Sequence, residues 1–230
     1  RKDIISGVLP GEYQEAMENV RSRKEDERQT LIDILKRRAQ SLNIDVRIMP
    51  DPASVIHALR ELVINREPEW GDRKGVVAWK HPLVEAMDLK NALASVHSPV
   101  RIAEEKCTDE DRILFRKDAG EALLGVTSAE YCVAESATLV IRSRPGHPRS
   151  ASLLPTLHAA IIRANRILKN TRELYALFHA DKSELGNSTM LITGPSKTAD
   201  IEATLVHGAH GPRELHLFIL SDEPRSEERS

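Results

Sequence analysis

Residues 190–220, MLITGPSKTADIEATLVHGAHGPRELHLFIL, hold two apolar runs separated by polar turns. Met190, Leu191 and Ile192 make a run short enough for one buried strand, and residues 215–220, LHLFIL, make another. A turn rich in Gly, Pro, Ser and Thr follows the first run. Thr198 is suited to cap a short helix there, with Asp200 and Glu202 where a helix N-terminus favours negative charge. Strand, short crossover, strand is a βαβ unit. In open α/β sheets ligands sit at the carboxyl ends of strands, so the candidate site belongs at these turns.

The chemistry of the turns points to a small anion. A helix N-terminus directs unpaired N–H groups outward; here Lys197 stands beside it, and Ser196 and Thr198 add hydroxyls. A nucleotide phosphate cradle is not expected, because the second glycine before Lys-Ser/Thr is missing and Pro195 removes a donor. A carboxylate or single phosphate remains, as does an ordinary capped turn. His207 and His210 form an H-x-x-H with His216 nearby, but Gly208 and Gly211 argue for a turn, and zinc needs three or four supported ligands. No metal site is expected. His210 and Arg213, beside Gly211 and Pro212, suit a rigid loop presenting cations to a carboxylate.

The rest of the chain alternates helix and strand. TLIDILKRRAQSL from Thr30 keeps a helical apolar face and IDVRIM follows as a strand. Asp51 caps a helix with Pro52 at its first position. VVAW is a strand, a helix runs through Leu83 to Leu93, PVRIA is a strand, and Thr108 with Asp111 forms a capping box. Such alternation predicts an α/β fold of three layers, helices on both faces of a mostly parallel sheet. The expected organisation is a helical arm over 1–28, the α/β domain over 29–220 and a polar, disordered tail over 221–230.

The totals exclude several functions. A net charge of −2 and a pI near 6.6 give no electrostatic case for nucleic acid or an acidic membrane. No apolar run approaches the ~20 residues of a membrane span, and no signal peptide is visible in a sequence that begins at Arg1; a cytoplasmic protein is expected from the cysteines. Cys107 and Cys132 lack C-x-x-C partners, which suits a reducing compartment. They are too few for an iron–sulfur cluster, which usually needs four thiolates.

A second stretch carries further candidates. ALLGV reads as a strand, and Thr127 with Glu130 as a capping box for a helix SAEYCVAE ending at Glu135. A carboxylate there opposes the helix dipole, so Glu135 is either satisfied by a partner or held for function. SRPGHPRS is a tight basic loop with Arg142, Arg144, His147 and Arg149 at its edges: a solvent-facing turn, or a lid bringing guanidinium groups to an anion. In LLPTLHAAIIRA, His158 lies within an apolar segment. It is either a core histidine or, facing a pocket, a proton carrier.

TGPSKTADIEATLVHGAHGPRELHLFIL resembles the C-terminal signature of the LUD-domain proteins, the lactate-utilisation protein C family. GVTSAEYCVAESATLVIRS resembles that family's second motif and PRSASLLPTLHAAII its third. The family usually reads Glu-Thr-Gly-Thr where this chain has Glu135, Ser136, Ala137 and Thr138; loss of that glycine is expected to close backbone approach to a ligand. The resemblance implies a fold like that of the sugar-phosphate isomerase and CoA-transferase group. It also implies a cytoplasmic role in oxidising L-lactate to pyruvate beside partner proteins that carry iron–sulfur clusters. That agrees with a chain lacking a dinucleotide fingerprint and expected to hold no cofactor of its own. The expected site has Glu135 and His158 as catalytic groups, with Thr127, Arg149, Ser196, Thr198, His210 and Arg213 receiving a small carboxylate. Two alternatives stay open: a stand-alone CoA-transferase-like or isomerase-like enzyme using Glu135, and a non-catalytic binding or assembly module.

Overall fold

A computed structural model of the chain describes residues 10–69, 71–180, 188–199, 205–207 and 211–221. In chain order the elements are α1 (Pro10–Ser22), α2 (Glu25–Ser41), β1 (Ile44–Met49), α3 (Pro52–Asn65), β2 (Val76–Ala78), α4 (Pro82–Glu85), α5 (Leu89–Ala92), β3 (Val100–Ile102), α6 (Asp109–Glu121) and β4 (Leu124–Ser128). They continue with β5 (Tyr131–Val133), β6 (Thr138–Ser143), α7 (Ser150–Leu153), β7 (Leu157–Arg163), β8 (Ile167–Leu168), α8 (Thr171–Ala180), β9 (Ser188–Ile192), β10 (Lys197–Ala199), β11 (Leu205–His207) and β12 (Glu214–Leu220).

Local capping chemistry starts two of the helices as expected. Asp51 Oδ1 accepts from the Ser54 N–H at 2.7 Å with Pro52 in the first turn of α3. At α6, Thr108 Oγ1 accepts from the Asp111 N–H at 3.2 Å and Asp111 Oδ2 accepts from the Thr108 N–H at 2.8 Å. The helix expected over Leu83–Leu93 is broken in two, because Asp88 sits in the left-handed region at φ 41° between α4 and α5.

Six strands form the main sheet in the order β1-β12-β7-β4-β2-β3, every pair parallel. Both faces are buried, as parallel sheets require. On one, Val76, Ala159 and Phe218 pack against Val55 and Leu59 of α3 and Val84 and Leu89 around α4 and α5. On the other, Val77, Ala160 and Leu217 pack with Leu35 of α2, Phe115 of α6 and Ala151 of α7.

A second sheet, in the order β8-β5-β6-β9, was not expected. Its β5–β6 and β6–β9 pairs are antiparallel. Cys132, Leu139 and Ile141 face the main core, while Val133, Val140 and Leu168 pack outward with Leu174 of α8. Helix α1 packs on α8, and Arg23 in the link to α2 is clipped there by a buried ion pair to Glu173 at 2.5 Å. Residues 25–28, expected in the helical arm, form the first turn of α2.

Two sequence readings are corrected by this layout. The capping box at Thr127 and Glu130 opens no helix: Thr127 is fully buried in β4 and residues 131–133 form β5. No helix begins at Thr198, because residues 197–199 pair antiparallel with 205–207 as a hairpin; Asp200 and Glu202 lie outside the described residues. The stretch from 190 to 220 is therefore not a βαβ unit. β9 ends the second sheet, and β12 lies inside the main one.

Candidate functional site

β7 runs through the middle of the main sheet, and its second residue, His158, is 1 % exposed. Burial, with His216 as a smaller cause, pushes its imidazole down to about 3, so it is neutral at physiological pH. A buried neutral imidazole needs a hydrogen-bond partner. Thr127 supplies it from β4, with Oγ1 and Nε2 2.9 Å apart.

His158 lines a cavity of about 150 Å³ with Ser152, Ile192, Pro195, Ser196 and Pro212. The cavity lies where the turn leaving β9 meets the amino ends of β7 and β12, not at the carboxyl ends of the main sheet where the sequence placed the site. The Ser196 N–H donates to Pro212 O at 2.9 Å, which binds the two turns together. Gly125 lets α7 close the cavity from the side. A Cβ there would lie 1.9 Å from Ala151 O.

His158, Thr127 and Ser196 are thus brought together. Arg213 stands one residue beyond the lining Pro212, its N–H donating to Thr156 O at 2.8 Å. Its guanidinium pairs with Glu69 at 2.7 Å, a carboxylate the sequence reading had not singled out. Thr198 lies on β10 and His210 lies outside the described residues. Arg149 is exposed and precedes α7; it does not line the cavity.

Glu135 also lies outside the lining, exposed on the turn between β5 and β6, where its N–H donates to Lys169 O at 3.1 Å. That turn touches the site indirectly. Ser136 Oγ and Thr138 Oγ1 are 2.8 Å apart, and Thr138 Oγ1 is 2.7 Å from Oγ1 of Thr193, the residue between Ile192 and Gly194 of the cavity wall. Ala137 holds φ 49° in the turn, a left-handed conformation that favours glycine.

His216, which lies near the H-x-x-H in sequence, is buried on the opposite face of the sheet. Its Nδ1 is 2.9 Å from Asp45 Oδ2 and its Nε2 3.0 Å from Glu214 Oε2. The His216 hydrogen bond, reinforced by Arg47, holds the Asp45 carboxyl down to about 2. Among the described residues, no group of three His, Cys, Asp or Glu side chains could hold a metal ion. None of the described helices is long and apolar enough to cross a membrane.

Residues 32–220 match the family model described as the LUD domain. The lactate utilization protein C of Halalkalibacterium halodurans is 32% identical over 86% of this chain and 83% of its own, and that of Bacillus subtilis 31% identical over 84% and 79%. A solved DUF162 family protein from Deinococcus radiodurans superimposes with a TM-score of 0.54 at 16% identity, covering 84% of this chain and 98% of that one, which shows a shared fold. With the family model spanning both sheets and the cavity between them, the chain belongs to the LUD domain family.

Proposed function

We propose that the chain serves lactate utilisation as a cytoplasmic subunit of an L-lactate-oxidising system, receiving a small carboxylate in the cavity between β9 and the amino ends of β7 and β12. One observation carries the reading: His158, Ser196 and the Pro212–Arg213 turn, far apart in sequence, converge on one cavity in a chain similar over most of its length to proteins named for lactate utilisation. At about 150 Å³ the cavity is smaller than the roughly 300–1,000 Å³ of drug-sized sites, which suits a two- or three-carbon acid. Ser196 would donate to the carboxylate, and the neutral His158, already oriented by Thr127, would hydrogen-bond the 2-oxygen. Arg213 would meet the carboxylate at the edge.

Oxidising lactate to pyruvate removes two electrons and two protons, so an acceptor must take them. Iron–sulfur proteins are the proposed partners. The donor chemistry of this chain supports that division: it has two cysteines, and burial pushes the Cys132 thiol up to about 12, a poor thiolate ligand. Deleting the chain from its host is expected to abolish growth on L-lactate. The wild-type chain should restore it and Ser196→Leu, which fills the cavity, should not. Equal growth with the two would overturn the reading.

A further inference from the structure

We propose that a second small-molecule site lies at the carboxyl edge of the main sheet, where Arg144 is held ready for the anionic group of an organic carboxylate or phosphate monoester. The carboxyl end of β3 borders a cavity of about 360 Å³, separate from the one containing His158 and within the size range of metabolite sites. Parallel sheets of this class bind ligands at that edge.

The wall is the basic turn that the proposed lactate role leaves unused. Arg144, Pro145, Gly146 and His147 form a tight turn, with Gly146 at φ 77° and the His147 N–H donating to Arg144 O at 2.8 Å. Proline second and glycine third is what a type II turn demands. The Lys80 N–H donates to Gly146 O at 3.1 Å, fixing the turn to the end of β2. His147 is buried and stacks flat on Trp79, ring centroids 4.5 Å apart. Its Nδ1 accepts from Arg144 Nε at 2.9 Å, so Nε2 carries the proton and donates to Lys80 O at 2.9 Å. The guanidinium is therefore gripped at Nε by a neutral, immobile ring. One of its terminal nitrogens lies 3.9 Å from Glu130.

Among the cations that line the cavity, the anion-binding role falls to Arg144 and Arg112. Arg101 is paired with Asp118 and Asp111 is spent on the Thr108 cap. Arg112 has an exposed contact with Asp109 at 3.2 Å. Glu104 and Glu105 also line the cavity, and they share an adjoining depression with Lys80, Lys90 and Lys106. His81 is pushed down to about 4, first by burial and then by His147 and Arg144, and adds no positive charge at neutral pH. Ile102, Phe115, Pro145 and Pro148 give the cavity an apolar side. A ligand with one charged end and a hydrocarbon body fits this division.

Trp79 reports on the site, because its indole N–H donates at 2.9 Å to the carbonyl of Pro148 in the cavity wall. The full chain, labelled with ¹⁵N, is titrated with 4-phenylbutyrate and with phenyl phosphate. The two indole signals are assigned through Trp70→Phe. A saturable shift of the Trp79 signal is expected with at least one probe, weakened about tenfold in folded Arg144→Gln or in Arg112→Gln, an exposed change that spares the fold. Response to one probe alone identifies its charged group as the chemistry selected. Failure of both probes to give a saturable shift, or binding indifferent to both substitutions, would overturn the proposal.

Discussion

Arg213 and Glu69 form an ion pair at 2.7 Å, so the guanidinium expected to meet a ligand carboxylate is already paired with one from the chain itself. Both residues are tied to the same place: the Glu69 N–H donates to Thr156 Oγ1 and the Arg213 N–H to Thr156 O, each at 2.8 Å. The Arg213 side chain is 45% exposed and that of Glu69 18%, and a pair with its cation in water contributes about 0–1 kcal/mol, little enough for a ligand to displace. Glu69→Gln is therefore expected to cost less than about 1 kcal/mol of stability and to tighten pyruvate binding measured calorimetrically. Arg213→Ala should weaken it. Equal affinity in wild type and both variants would remove Arg213 from carboxylate recognition.

The pair of Thr127 and His158 makes a prediction about pH. His158 has a folded value of about 3 against an ordinary 6.5, so below pH 6.5 the unfolded chain binds the extra proton. The stability it contributes is complete above 6.5 and declines as pH falls toward 3. At pH 5 the loss is about 2 kcal/mol, from 1.36 kcal/mol per pH unit. Urea unfolding at pH 7 and pH 5 should show this loss in wild type, and a smaller one in His158→Gln. A variant with the same pH slope as wild type would place the dependence elsewhere.

What was legible in the sequence was local. Asp51 with Pro52, and Thr108 with Asp111, announce helix starts because partner atoms lie within three residues. The alternation of elements gave the parallel sheet for a similar reason: each apolar run needs cover. The second sheet was hidden because β6 pairs with β9 some fifty residues away, and a short apolar run does not say which sheet it will join. Thr127 misled because its spacing to Glu130 copies a capping box, whereas burial between strands overrides that local preference. At the site, the apolar setting of His158 foretold a buried imidazole, but its partner is 31 residues distant and could not be read. Glu69 gave no signal at all, being one acidic residue in a charged loop.

Ala137 stands where the family resemblance implies a glycine, and its left-handed backbone makes that position testable. A left-handed alanine costs about 1–2 kcal/mol, and glycine there would return part of it while losing about 0.5–1 kcal/mol in chain entropy. Ala137→Gly is therefore expected to stabilise the protein by about 0.5–1 kcal/mol, read as a higher midpoint in urea. A lower midpoint would mean that the methyl group, 1 % exposed, matters more for packing than the backbone does for strain.

Gly125 allows the most direct test of how the cavity is built. On β4 it lies beside His158 in register, and α7 approaches so closely that an added Cβ would stand 1.9 Å from Ala151 O and 2.9 Å from Pro155 Cγ. The first of these is a backbone atom and cannot swing aside, so α7 must lift from the sheet. Overpacking of this kind costs about 1–3 kcal/mol, and the backbone clash places Gly125→Ala at or above the upper end. Because α7 also carries Ser152 and Leu153 into the cavity wall, the same change should weaken pyruvate binding even at temperatures where the variant is fully folded. A stable Gly125→Ala variant that binds pyruvate like wild type would show that α7 is not the wall of the site.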